Sequence, residues 1–179
     1  LEFRRVLFRS ALAILQKYGI AVSDAARAVL ADPALAAPTP DDPRLARNET
    51  VVIATAQGAL DAAAAAARAA GFTPLVLSNS IEGEAREVAI VHAAIARQVI
   101  EHGQPSQAPC VILSGGETSV TVRGEGRGGR NAEFLLALAI ALRGIAHVHA
   151  IACDTDGIDG TEDNAGALLG PDTLARAAA

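Results

Sequence analysis

Strand-like and helical segments alternate along this chain, and that alternation constrains its fold more than any other feature. Short apolar runs rich in β-branched residues, such as residues 51–56 and 110–113, are separated by helical stretches, of which residues 82–102 form the longest. A helix between two strands acts as a crossover, which favours parallel pairing with right-handed connections. The pattern therefore predicts an α/β fold with a mostly parallel sheet and flanking helices.

Caps and breakers set the predicted boundaries. Ser23 is a candidate N-cap of a short helix that ends before Pro33, and a helix over residues 131–143 has Asn131 as its candidate N-cap. Glycines 19, 71 and 103 are predicted to end the helices that precede them. Further helices are predicted at residues 11–18 and 58–70, and further strands at residues 74–77, 117–122 and 147–153.

The glycine pair at positions 115 and 116 lies between two predicted strands. The segment before it, residues 110–113, is apolar throughout, and the segment after it, residues 117–122, alternates polar and apolar residues. Two adjacent glycines suit a tight turn. We therefore expect the chain to reverse its direction at Gly115-Gly116.

Composition excludes several classes of protein. The net charge is −5 and the chain contains no basic block, which argues against a nucleic-acid surface. No apolar run approaches the roughly twenty residues of a membrane span. The two cysteines, Cys110 and Cys153, lie on predicted strands in a chain without a secretory segment, which favours free thiols in a reducing cytoplasm.

The first ten residues differ in character from the rest. The chain begins with leucine and contains no methionine, and residues 1–10 hold two of its four phenylalanines. We expect this segment to be a cloning or assembly remnant and the natural N-terminus to be missing. An ordinary amphipathic first helical turn is the alternative.

A segment rich in glycine and arginine precedes the predicted helix at residues 131–143. A strand, a glycine loop and a helix N-terminus together form an anion site, because free N–H groups and the helix dipole both point at the ligand. Arg127 and Arg130 add positive charge, since arginine grips phosphate or carboxylate with a planar fork. An ordinary turn with solvent-facing arginines is the alternative.

The same segment also satisfies the dinucleotide-binding pattern. Gly124, Gly126 and Gly129 have the G-x-G-x-x-G spacing, and Asp154 ends the next predicted strand. The preceding strand alternates, however, and arginines crowd the turn. The acid also lies farther on than the usual roughly twenty residues. A nicotinamide-dependent reductase stays open as an alternative.

Acidic residues follow the last predicted strand. Asp156 and Asp159 are bracketed by Gly157 and Gly160, and clustered carboxylates at the carboxyl end of a strand suit Mg²⁺. A solvated turn with helix-capping aspartates is the alternative. Glu117, beside two glycines, is a candidate acid, base or metal ligand.

Three runs carry a family resemblance. Residues 113–122, 124–133 and 155–160 resemble the MOFRL domain of class II glycerate 2-kinases, and residues 14–20 and 82–87 resemble the part of those kinases that leads into it. The resemblance implies a two-domain α/β enzyme that phosphorylates D-glycerate on its 2-hydroxyl with ATP and Mg²⁺. It assigns residues 11–107 to the end of a Rossmann-like first domain and residues 108–179 to a MOFRL domain truncated at its C-terminus.

The resemblance also implies roles for particular residues. Arg130, with Arg127, would stabilise the transferring phosphoryl group or bind the glycerate carboxylate, and Asp156 would take part in catalysis and, with Asp159, in metal binding. The expected substrate and nucleotide contacts are Ser114, Gly115, Gly116, Glu117, Gly126, Gly128, Gly129 and Asn131.

Departures from the family limit what this chain is expected to do alone. The family's N-terminal domain, with its active-site lysine, has no counterpart here, and Lys17 is not in a matching motif. We expect a parent glycerate 2-kinase and a 179-residue piece that is inactive or nearly so by itself. The alternatives are a hydroxypyruvate reductase, a label long attached to the family, and a non-catalytic anion-binding module. A homodimer is the assembly that we consider for the protein.

Overall fold

The computed structural model describes residues 8–35, 38, 41–161 and 163–177, with side chains from residue 11 onward. The chain divides into two compact units, Leu1–Val51 and Val52–Ala179. Most of the predicted remnant at residues 1–10 lies outside the described residues, although the first helix begins at Phe8.

The first unit contains two short helices that end in local signals. Helix α1 spans Phe8–Lys17 and is followed by Gly19, whose φ is +63°. Helix α2 spans Asp24–Ala31, and the predicted N-cap is confirmed because the Ser23 hydroxyl accepts a hydrogen bond from the N–H of Ala26 at 3.2 Å. Two 3₁₀ turns follow, at Pro33–Leu35 and Pro43–Leu45.

The second unit holds the predicted α/β arrangement. A long strand, a helix and a second long strand form a β–α–β unit whose strands pair in parallel, from Thr73 opposite Cys110 to Glu84 opposite Ser119. The two short strands that follow pair antiparallel, so only the first of the two sheets is parallel. The elements are α3 (Ala56–Ala69), β1 (Thr73–Glu84), α4 (Ala85–His102), β2 (Cys110–Ser119), α5 (Arg130–Leu142), β3 (Ala150–Cys153), β4 (Gly166–Leu169) and α6 (Thr173–Ala177).

The predicted reversal at Gly115-Gly116 is wrong, because β2 runs straight through both glycines. Gly116 has a φ of +156°, and a Cβ at this position would lie 2.0 Å from the carbonyl oxygen of Ile81 on β1. Glycine is therefore required here for close approach of two backbones rather than for a turn.

Other boundaries also differ from the sequence prediction: the strand predicted at residues 147–153 begins at Ala150, and the one predicted at residues 117–122 ends at Ser119 as part of β2. Residues 51–55 form no strand, and Ile53 is 93% exposed; the segment instead leads into α3, whose N-cap is Thr55. Helix α4 begins at Ala85 rather than at position 82, because residues 82–84 continue β1 and pair with residues 117–119 of β2. Tertiary pairing here overrides the helical spacing of the local sequence.

The core of the second unit lies between α4, α5 and β4. Ala89 and Ala93, one turn apart on α4, are fully or almost fully buried, and their small side chains let α5 approach closely. Leucines and an alanine of α5 fill the space, together with Leu169 of β4. Strands β1 and β2 lie on opposite sides of the domain boundary predicted between residues 107 and 108, and they pair with each other. That boundary stays a prediction.

Among the described residues, no helix combines the length and apolar character that a membrane crossing requires.

Candidate functional site

Arg130 is the centre of an ionic cluster at the start of α5. One terminal nitrogen of its guanidinium donates to a carboxylate oxygen of Glu117 on β2, and the other donates to Asp154 Oδ1 just after β3, at 2.5 Å. The Asp154 side chain is 13% exposed and that of Arg130 is 30% exposed. The cluster therefore joins the ends of two strands to the first residue of a helix.

The ion pairs keep this arginine charged. The hydrogen bond with Asp154 raises the pKa of the Arg130 guanidinium above its usual value, and the bond with Glu117 adds to this effect although partial burial opposes it. Its contacts use two of the five N–H donors of a guanidinium. Other donors are thus available to an anion that approaches the exposed side.

Asp159 provides the cap of α5. Its side chain is completely buried, and its carboxylate accepts hydrogen bonds from the backbone N–H groups of Asn131 and Ala132, at 3.0 and 2.9 Å. The Asn131 side chain donates to both Asp154 and Asp159, at 2.9 and 3.1 Å. The prediction that Asn131 is the N-cap is wrong, because Gly129 occupies that position and the capping carboxylate comes from a distant loop.

Close packing of two loops makes this cap possible. A Cβ on Gly129 would lie 2.3 Å from Asp159 Oδ1, and a Cβ on Gly160 would lie 2.6 Å from the carbonyl oxygen of Gly128. A side chain at position 129 would therefore displace the capping carboxylate. Gly129, which was predicted to contact a ligand, instead leaves room for the carboxylate of Asp159.

The cap changes the anion prediction. The N–H groups of residues 131 and 132, which an anion at the helix N-terminus would use, already donate to Asp159. Any anion binding at this end of α5 must therefore depend on arginine side chains. A dinucleotide pyrophosphate in the usual position would likewise meet a buried carboxylate.

The two residues of the predicted metal pair differ in burial and in hydrogen-bond partners. The carboxylate of Asp159 is used by the helix, whereas that of Asp156 is exposed and accepts from the N–H of Ile158 at 3.1 Å. In the part of the chain that the structure describes, no group of three histidine, cysteine or acidic side chains is arranged to hold a metal ion. The Asp159 carboxylate thus already serves the protein's own N–H groups, and magnesium binding by Asp156 and Asp159 stays a prediction.

The loop between β2 and α5 is tied to the start of α4. The Glu84 carboxylate accepts from both the hydroxyl and the backbone N–H of Thr121, and these bonds lower the pKa of Glu84. Beyond this anchor, positions 124 and 126 have open space where a Cβ would point, as a ligand-facing loop would require. Arg127 and Gly128 belong to the same loop.

The other predicted ligand segment lies on β2 beside an irregular stretch of β1. Ser114 pairs with Ser78, and the register shifts on both sides of Ser78 before it resumes at Ile81 opposite Gly116. Asn79, within this irregularity, donates to Gln57 at the start of α3 at 3.1 Å. Asn79 also lies beside the predicted segment, because a Cβ on Gly115 would be 3.9 Å from its Cα.

Sequence reasoning missed two sets of residues here. The consecutive polar residues 78–80 interrupt an apolar strand, which is a signal that could have been used. His92, to which no role was assigned, contacts Ser114 from α4 with Nε2 3.0 Å from the serine Oγ. The two residues are 22 positions apart, so the local sequence carries no signal for this contact.

Comparison with known proteins identifies related chains. Residues 110–179 match the MOFRL family. A D-glycerate 2-kinase from Thermotoga maritima is 38% identical over 160 residues, and a protein from Agrobacterium vitis, provisionally named hydroxypyruvate reductase, is 52% identical over 168 residues. These alignments cover 89% and 93% of this chain, but 36% and 37% of the respective relatives.

A solved structure gives the same relationship. The crystal structure of glycerate kinase from Thermotoga maritima superposes with a TM-score of 0.72 and 34% identity, and the match covers 93% of this chain and 38% of that one. The chain thus spans little more than a third of the length of each of these relatives. It carries a MOFRL-family segment at residues 110–179 and is a homologue of one part of the proteins named glycerate 2-kinase.

Proposed function

We propose that this chain is part of a glycerate 2-kinase that transfers a phosphoryl group from ATP to the 2-hydroxyl of D-glycerate. The observation that carries the proposal is Arg130, held at the start of α5 by Glu117 and Asp154 in a chain whose relatives include glycerate kinases. Phosphoryl transfer depends mainly on positioning and on neutralising charge; the fixed guanidinium supplies positioned N–H donors, while the two carboxylates already offset its own charge.

The role proposed for Arg130 is to bind the transferring phosphoryl group or the glycerate carboxylate. Two anchoring carboxylates hold the guanidinium plane in place, so little conformational entropy is lost when a ligand binds. Arg127, in the loop before α5, is proposed to act with it. The contacts proposed for the nucleotide and substrate are those predicted at residues 114–117, 126 and 128. Gly129 and Asn131, which were predicted with them, are used by the Asp159 cap.

The charge of the cluster supports a requirement for Mg²⁺. One guanidinium shared by two ionised carboxylates leaves a net negative charge, which disfavours a bare polyanion. Magnesium usually reaches such sites bound to substrate phosphates, with water and one or two carboxylates completing its shell. We propose that the ion arrives with ATP, and Asp156 is the remaining candidate carboxylate.

A hydroxypyruvate reductase is the second candidate. It is favoured by the provisional name of the Agrobacterium vitis relatives and by the G-x-G-x-x-G spacing. The buried carboxylate of Asp159 at the start of α5 argues against it, because a pyrophosphate would need the same N–H groups. A non-catalytic anion-binding module is the third candidate.

The test uses the full-length gene product that contains these residues. We expect ATP- and Mg²⁺-dependent formation of 2-phosphoglycerate from D-glycerate, and little or no turnover by the 179-residue chain alone. In the full-length protein, Arg130→Lys is expected to lower kcat/KM by about 100-fold or more, because lysine keeps the charge but loses the fork. Arg123→Ala, in the same loop, is the matched control.

Each other outcome points to a different function. Oxidation of NADH with hydroxypyruvate, without phosphorylation of glycerate, would support the reductase. Phosphate binding without either activity would support the binding module. Light scattering on the same sample tests the proposed homodimer, and fractionation of the host cell tests the proposed cytoplasmic location.

A further inference from the structure

His92 is held by contacts from three elements of the second unit. Its Nδ1 lies 2.8 Å from the carbonyl oxygen of Val88, one turn earlier on α4, and its Nε2 lies 3.0 Å from Ser114 Oγ on β2. Its ring meets that of Phe134 on α5 edge to face, with ring centroids 5.2 Å apart. The imidazole therefore has little freedom to rotate or flip.

These contacts fix which nitrogen of a neutral imidazole carries the proton. A carbonyl oxygen only accepts hydrogen bonds, so the nitrogen that faces Val88 must be the donor. A neutral imidazole has one N–H, which leaves Nε2 as an acceptor. The Ser114 hydroxyl must then donate its only proton to His92.

The direction of this bond determines what Ser114 can offer a ligand. With its proton used by His92, the exposed Ser114 oxygen has only lone pairs left to present. Phosphate and carboxylate oxygens cannot use such a group, because they too are acceptors. A hydroxyl group is the neutral donor that a hydroxy acid supplies.

We infer that Ser114 accepts a hydrogen bond from a hydroxyl of the hydroxy-acid substrate, and that His92 is a positioning residue that fixes the serine in this role. The inference rests on the proposed function for the identity of the substrate. It assigns Ser114 to recognition of the hydroxylated carbon chain, whereas Arg130 serves the anionic groups. Substrates that lack the recognised hydroxyl are expected to bind more weakly.

The test measures binding to the full-length gene product by calorimetry. The ligands are D-glycerate, D-lactate, which lacks the 3-hydroxyl, and 3-hydroxypropionate, which lacks the 2-hydroxyl. The wild-type protein is expected to prefer D-glycerate to at least one analogue by about tenfold. If Ser114→Ala loses the preference for D-glycerate over D-lactate, Ser114 recognises the 3-hydroxyl. If it loses the preference over 3-hydroxypropionate, Ser114 recognises the 2-hydroxyl.

Three variants separate positioning from a merely structural role. Ser114→Ala and His92→Phe are expected to reduce the preference towards unity, and phenylalanine preserves the ring contact with Phe134. His92→Gln is expected to restore part of it, because its side-chain oxygen can accept from Ser114. Folded variants that keep the full preference overturn the inference.

A second measurement tests the tautomer directly. Nitrogen NMR of the His92 ring is expected to show the proton on Nδ1 only, and a proton on Nε2, with or without one on Nδ1, overturns the inference whatever the binding results. If the full-length protein does not turn over D-glycerate, the proposed function is wrong. The binding preferences then still decide the role of Ser114. Wild-type protein that binds neither D-glycerate nor the analogues defeats the inference.

Discussion

Helices α2 and α5 are both capped by a side-chain oxygen, but the two oxygens come from very different places. In α2 the acceptor is Ser23, three residues before the N–H that it binds. In α5 the acceptor is Asp159, which lies 28 residues after Asn131 and is completely buried. The first cap depends only on local sequence, whereas the second forms only when the loop after β3 has packed against the start of α5.

The difference has an energetic consequence. An exposed cap exchanges one hydrogen bond with water for one within the helix and contributes about 1 kcal/mol. A buried carboxylate that satisfies several N–H groups cannot be removed without leaving partly buried donors unpaired, at a cost of about 1–3 kcal/mol each. The α5 cap should thus control the stability of the second unit, and the α2 cap only that of its own helix.

Removing the remote cap should have the largest effect. Asp159→Ala is expected to lower the free energy of unfolding by about 3–5 kcal/mol, because the N–H groups of Asn131 and Ala132 lose their acceptor. Urea titration of the chain measures this value. Asp156→Ala, in the same loop but exposed, is the matched control and should cost less than about 1 kcal/mol. Equal losses would contradict the distinction between the two aspartates.

Crowding the remote cap should have the next largest effect. Gly129→Ala places a methyl group where Asp159 Oδ1 lies 2.3 Å away, so we expect a loss of about 1–3 kcal/mol in the same titration. Gly126→Ala is the control, because no atom lies within 4 Å of its Cβ position. The explanation fails if the two substitutions cost the same.

Removing the local cap should have a smaller and more confined effect. Ser23→Ala is expected to cost about 1 kcal/mol of α2 stability, because the Ala26 N–H loses its partner. Hydrogen exchange should show faster opening of amides in residues 24–31 and unchanged protection in α5. Faster exchange in both helices would mean that the α2 cap is not local.

The smallest effect concerns another local cap, at the 3₁₀ turn Pro43–Leu45. Hydrogen bonds from Arg44 lower the pKa of Asp42 from 3.8 to about 2. Because the folded-state pKa is depressed, the contribution to stability is present above the unfolded value near 4 and disappears as the pH falls through about 2. NMR titration of the Asp42 carboxyl carbon should show this value, and Arg44→Gln should raise it; no change on substitution would exclude the side-chain contact as its cause.

The same contrast between local and remote contacts explains what the sequence could predict. Ser23 as an N-cap and Gly103 as the end of α4 were both predicted correctly, since each depends on neighbouring residues. The straight path of β2 could not be predicted, because Gly116 is needed for its approach to Ile81, 35 positions away. The α/β class followed from alternation, which is a property of the whole chain.

The candidate site divides along the same line. The glycine and arginine motif located the start of α5, and Glu117, Arg130 and Asn131 do lie together there. The sequence could not distinguish the two aspartates of the acidic loop, because burial and partners separate them rather than residue type. The contact of His92 with Ser114 likewise arises from packing of α4 on β2.

The packing of Gly129 against Asp159 also has an evolutionary meaning. A larger residue at position 129 would be tolerated only if position 159 first gave up its carboxylate, and that step removes the cap of α5. The two positions are therefore expected to be epistatic, because each single substitution is destabilising while the other residue is kept. Sequence drift in this part of the molecule is therefore expected to keep both residues together.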